Sequence, residues 1–142
     1  TGERLSTRPF VRAVVQAPAG PFTIGAVHTA APTDQRAVAN WADELASLGL
    51  VDRSSPIVLA GDFNATIDHA QFRSLLENGW TDAHTTKGCG FDETWPVGRG
   101  TGIPAMRLDH VLVSDHFEVK AVELGHANGS DHKPVIATIH LR

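Results

Sequence analysis

Ile57-Val58-Leu59-Ala60-Gly61-Asp62-Phe63-Asn64 is the stretch from which the rest of the chain is read. Its first four residues are apolar, with Ser54-Ser55-Pro56 before them and a glycine after. A short apolar run bounded by turn residues is a buried strand. At the strand's exit a carboxylate and a carboxamide stand two positions apart. Gly61 lets the backbone pass close to a neighbour or a ligand. Asp62 can accept a proton or hold a metal ion, and Asn64 can donate to a phosphate oxygen. Together they suit hydrolysis of a phosphate ester by an aligned water.

Towards the N-terminus, residues 9–17 and 22–28 read as a hairpin joined by Pro18-Ala19-Gly20-Pro21. His28 then ends a strand and opens the loop Thr29-Ala30-Ala31-Pro32. Thr33 or Asp34 is expected to cap a helix reaching Leu48, with Val38, Trp41, Leu45 and Leu48 as its apolar stripe. Gly49 is expected to end it in the left-handed conformation. Towards the C-terminus, Asp68 is expected to cap a second helix to Glu77, with Phe72, Leu75 and Leu76 inward and Gly79 closing it. Residues 81–106 show no period. They read as one long surface loop carrying Lys87, Cys89, Trp95 and Arg99. Residues 107–113, 117–124 and 134–140 read as strands, with the polar loop Gly125 to Lys133 before the last. The expectation is an α/β domain of about six strands in a mostly antiparallel or mixed sheet, with two helices on one face.

The 142 residues suffice for one domain with a real core. No run of about 18 apolar residues occurs, so no transmembrane helix is encoded. The chain opens Thr1-Gly2 without a methionine and is expected to be a piece of a longer protein. A net charge of −4 argues against a domain that grips nucleic acid mainly by neutralising phosphates. The single cysteine excludes an intrachain disulfide and a cysteine-based zinc site.

Four polar clusters stand at predicted strand ends: His28, Asp62 with Asn64, Asp109 with His110, and Asp131 with His132. Sheets build active sites in this way from residues distant in sequence. In order, His28-Thr29-Ala30-Ala31-Pro32, Gly61-Asp62-Phe63-Asn64-Ala65, Thr94-Trp95-Pro96, Arg107-Leu108-Asp109-His110-Val111-Leu112-Val113-Ser114 and Ser130-Asp131-His132-Lys133-Pro134-Val135 resemble the endonuclease/exonuclease/phosphatase superfamily, with its deoxyribonuclease-I-like fold. Each motif alone fits an ordinary turn or strand end. The five in order make the resemblance specific.

The resemblance implies a divalent-metal-dependent phosphoesterase using magnesium or manganese. It implies that His132 meets the scissile phosphate and that Asp109 orients its ring. It further implies that Asp62 prepares the attacking water, that Asn64 and His28 contact phosphate oxygens, and that Asp131 and Asp62 ligate the ion. Oxygen donors favour such hard cations. His110 alternates to the other face of its strand and reads as packing or surface. His69, His84, His116, His126 and His140 read as structural or solvent-facing, and Lys87, Arg99 and Arg107 as solvated charges.

One departure from the family pattern is large. The resemblance covers only the C-terminal half of the four-layered sandwich, and the family's upstream glutamate ligand has no counterpart here. Glu3 is the sole acidic residue before His28 and lies in no motif. A lone half exposes an apolar sheet face, so pairing through that face is expected, as a homodimer or with the missing half. The alternative is a non-catalytic fragment or interaction module that uses the same face.

Overall fold

The computed structural model describes residues 2–5, 8–88, 92–98 and 105–142, with side chains from residue 11 onward. The expectations for the Glu3 side chain, Cys89 and Arg99 lie outside these. In chain order the elements are β1 (Gly2–Leu5), β2 (Arg8–Ala17), β3 (Gly20–His28), α1 (Gln35–Gly49), β4 (Ile57–Asp62), α2 (Ala70–Glu77), β5 (Thr81–Asp82), α3 (Ala83–Lys87), β6 (Asp109–Val113), β7 (Phe117–Leu124) and β8 (Val135–Leu141).

Strands β1 to β6 form one mixed sheet in the order β1-β2-β3-β4-β6-β5, and β7 with β8 forms a second. Among the described strands only β3 and β4 are parallel neighbours, and such neighbours need a crossover, which α1 supplies. Their C-terminal ends therefore lie side by side, with His28 opposite Asp62. Antiparallel β6 starts where β4 stops, with Asp109 opposite Asp62. Register alone sets His28, Asp62 and Asp109 in one row across the end of the sheet.

Ile57, Val58 and Leu59 are buried because β4 is covered on both faces. On one face α1 and α2 bring Trp41, Leu45, Leu48, Phe72 and Leu75 onto Val27, Leu59 and Leu112. On the other, β7 and β8 bring Phe117, Val119 and Ile139 onto Val58, Val111 and Val113. Beside that hairpin the same face stays open over β2 and β3, where Val11 is 58% and Ile24 37% exposed.

Asp34 caps α1 as expected, its carboxylate accepting from the Ala37 N–H at 2.9 Å. Several local expectations are corrected. Gly49 stays inside α1, whose last turn is closed by Leu50 in a right-handed conformation. Val38 is 40% exposed and leaves the apolar stripe. Asp68 does not cap α2. His69 occupies that position, its Nδ1 turned back to accept from the Thr66 N–H. Gly79 does close α2, at φ +98°, its N–H donating to the Leu76 carbonyl. The expected loop of 81–106 contains β5 and α3, elements too short to show a period. They, with β1, bring the described total to eight strands and three helices.

Candidate active site

Gly61 brings β4 against β3 at φ +144°, where an added Cβ would stand 2.0 Å from the Val27 carbonyl oxygen. No side chain fits that gap, so only glycine can deliver Asp62 to the end of the sheet. The turn that follows is held from every side. The Thr29 N–H donates to the Asp62 carbonyl at 3.0 Å, and the Phe63 N–H to the Leu108 carbonyl at 2.9 Å. The Phe63 carbonyl accepts from the Thr29 hydroxyl at 2.6 Å and the Trp41 indole at 3.0 Å. Asn64 sits at φ +46°, a left-handed conformation that asparagine tolerates better than most residues.

Asn64 also fixes its neighbour. Its backbone N–H donates to Asp62 Oδ1 at 2.7 Å, and its Nδ2 donates to the Thr29 carbonyl at 3.0 Å and towards Asp62 Oδ2 at 3.3 Å.

His132 arrives from the loop between β7 and β8. Its Nδ1 lies 2.7 Å from Asp109 Oδ2, both side chains being mostly covered. Such a pair fixes the ring's orientation and leaves Nε2 to face outward chemistry. Thr94 secures both partners: its Oγ1 accepts from the Leu108 and Asp109 N–H groups, and its carbonyl from the Lys133 N–H. Asp62, Asp109 and His132 each present an atom within 4.8 Å of the other two, a three-residue cluster able to hold a cation. His28 is more exposed and places Nε2 3.8 Å from Asp62 Oδ2. Asp131 is not one of the three. It lines an adjacent depression with Val97 and Asn128, its carbonyl accepting from the Val97 N–H.

Burial pushes the Asp62 carboxyl above the ordinary aspartate range, and the Asp109 charge adds to this. The Asn64 N–H, His132 and His28 pull the other way without cancelling it. Two adjacent carboxylates with little water are relieved by a cation, and their oxygen donors suit magnesium or manganese.

Beside the cluster opens a cavity of about 430 Å³, walled by Pro32, Trp95, Met106 and Leu108, with Asn64 and His132 at its polar side. Trp95 thus stands in the wall, its ring 6.4 Å from that of His132. Arg107 is corrected from a solvated charge: its side chain is largely buried, with Nη2 4.0 Å from the carboxylate of Asp82. Glu44 was not singled out from the sequence. It is buried on α1 and accepts from the Ala30 N–H at 2.7 Å, anchoring the loop after His28. A carboxylate inside the stripe Trp41, Leu45, Leu48 was the available signal, because a buried charge needs a partner.

Comparison with known proteins agrees with this arrangement. The model of the endonuclease/exonuclease/phosphatase family matches residues 2–132. No curated protein sequence matches the chain. Among solved structures, an endonuclease/exonuclease/phosphatase from Beutenbergia cavernae superposes with a TM-score of 0.73 at 22% identity, over 94% of this chain and 39% of that one. A mannosyl-6-phosphatase from Bacteroides thetaiotaomicron gives 0.66 at 18% identity, over 96% and 59%. A 3'-5' exonuclease from Neisseria meningitidis gives 0.66 at 21% identity, over 88% and 63%. The chain therefore spans 39% to 63% of the length of these three structures. With the family model matched over most of its length, the chain belongs to the endonuclease/exonuclease/phosphatase family.

Proposed function

We propose that this chain carries the water-activating and phosphate-contacting residues of a divalent-metal-dependent phosphoesterase. The observation that supports it most is the convergence of Asp62, Asp109 and His132 within 4.8 Å from three separate segments. Asp62 orients and deprotonates the water that attacks phosphorus. His132, held by Asp109, stabilises charge on the phosphoryl group or protonates the leaving oxygen. Asn64 and His28 contact the remaining phosphate oxygens. A bound magnesium or manganese ion would supply Lewis-acid stabilisation of developing charge. Asp62 would hold it, and Asp131, next to His132 in the chain, is proposed as a further ligand.

The apolar cavity next to His132 favours a substrate with an apolar or ring-shaped portion beside its phosphate. A nucleotide or a ring-bearing lipid head group meets this requirement, and the net charge of −4 disfavours tight grip of long nucleic acid. Hydrolysis of a generic phosphodiester tests the reading. The expected result is turnover that needs manganese or magnesium and is lost with chelator and in Asp62→Ala. Turnover that survives either treatment contradicts it. A second reading, an interaction module that pairs through the open sheet face, is favoured by the exposure of Val11 and Ile24 on β2 and β3.

A further inference from the structure

His110 plays no part in the chemistry above, yet it is buried directly behind it. Its Cα is paired with Gly61, and it follows Asp109 on β6. The side chain turns to the helix face, where it packs on Phe72 with ring centroids 4.3 Å apart and edge-on to Phe63. Nε2 lies 2.9 Å from the Ala65 carbonyl oxygen. A carbonyl only accepts, so Nε2 carries the hydrogen. Nδ1 faces Asp82 Oδ2 at 3.4 Å. Asp82 is itself wholly covered and fixed by the Thr85 hydroxyl at 3.0 Å. Burial pushes Asp82 up, but His110, Arg107 and Thr85 together outweigh it and hold the carboxyl below its ordinary value.

A buried chain thus runs from α3 through Asp82 and His110 to Ala65, the residue that ends the Asp62-Phe63-Asn64 turn. The His110 side chain thereby ties β6, which bears Asp109, to the far end of that turn. We propose that His110 is a positioning residue: its Nε2–H to the Ala65 carbonyl sets the turn that aims Asp62 and Asn64 at the Asp109–His132 pair. The catalytic consequence rests on the phosphoesterase reading, whereas the positional one does not.

Two amides separate the ring's two ends. His110→Gln keeps an N–H where Nε2 stands, and His110→Asn reaches only as far as Nδ1. Both bury one amide, so their general cost is similar. Amide hydrogen exchange reads the turn whether or not the protein hydrolyses anything. In His110→Asn the Asn64 amide is expected to exchange about tenfold faster than in the wild type, while the Leu59 amide in β4 changes little. His110→Gln is expected to restore Asn64 protection. Where turnover is present, kcat falls about tenfold or more in His110→Asn with KM little changed, and His110→Gln recovers it. Equal exchange at Asn64 in both variants, or no change in His110→Asn, overturns the proposal. The unmodified protein gives a further check that survives misfolding of either variant. The His110 ring must show a slowly exchanging Nε2–H proton by nuclear magnetic resonance, and its absence also overturns the proposal.

Discussion

The carboxylate of Asp62 accepts from the Asn64 N–H on one oxygen, lies near the Asn64 side chain on the other, and faces Asp109 across the strand register. Burial raises its pKa, so in the folded state the charged form is disfavoured. The sign follows from linkage. Folding gains from Asp62 while the group is protonated, and that gain is lost as pH rises through the raised folded value. Two outcomes are expected. Without metal, stability to urea should fall as pH rises above the ordinary aspartate value of 3.8, as the buried carboxyl gains its charge. Asp62→Asn should abolish turnover yet stabilise the metal-free fold near neutral pH, read as a higher midpoint in urea unfolding. An Asp62→Asn protein less stable than the wild type would show that the carboxylate is not strained by burial. At this scale the sequence was most informative. His28, Asp62, Asn64, Asp109 and His132 were each visible as polar residues at strand ends. Glu44 escaped, and Thr94 and His110 were named without their partners, because those partners depend on which carbonyl or N–H lies across the fold, and no local pattern encodes that.

At the scale of elements, the parallel pair β3–β4 and the antiparallel partner β6 decide the site, because their register sets three residues in one row. Gly61 is the point where β3 and β4 come too close for any Cβ. Gly61→Ala is therefore expected to force β4 off Val27, costing about 3 kcal/mol or more of stability and most of the activity. A Gly61→Ala protein with wild-type melting would remove close strand approach from the account. Strands β2, β3, β4, β7 and β8 and helix α1 were legible because long, periodic or bounded runs mark them. Strand β5 and helix α3 were not, since two and five residues carry no measurable period. The α2 start was misplaced by one residue: Asp68 has the better capping side chain, but His69 holds the position with its ring on the Thr66 N–H.

At the scale of the molecule, helices cover one sheet face over β4 and β6 while Val14 on β2 stays 66% exposed, and β7 with β8 covers only part of the other face. Val11 and Ile24 are left exposed on the open part, with Ala13 and Ala26 beside them. We propose that this surface is covered by a second copy of the chain or by further sequence of a longer protein. Light scattering of this chain is expected to show dimers at high concentration and monomers for Val11→Lys with Ile24→Lys. A wild-type chain that stays monomeric at every concentration would count against self-pairing. The family and fold were legible from five short motifs. The identity of any covering partner was not, because an exposed apolar face leaves it open.

The central claim is that Asp62, Asp109 and His132 form one cation-assisted centre. Manganese binding, followed by electron paramagnetic resonance on this chain and on Asp62→Ala, tests it most directly and needs no substrate. The account predicts binding at millimolar or lower concentration in the wild type, lost in Asp62→Ala and weakened in Asp131→Ala. A wild type that binds no manganese, or an Asp62→Ala chain that binds it equally well, would contradict it.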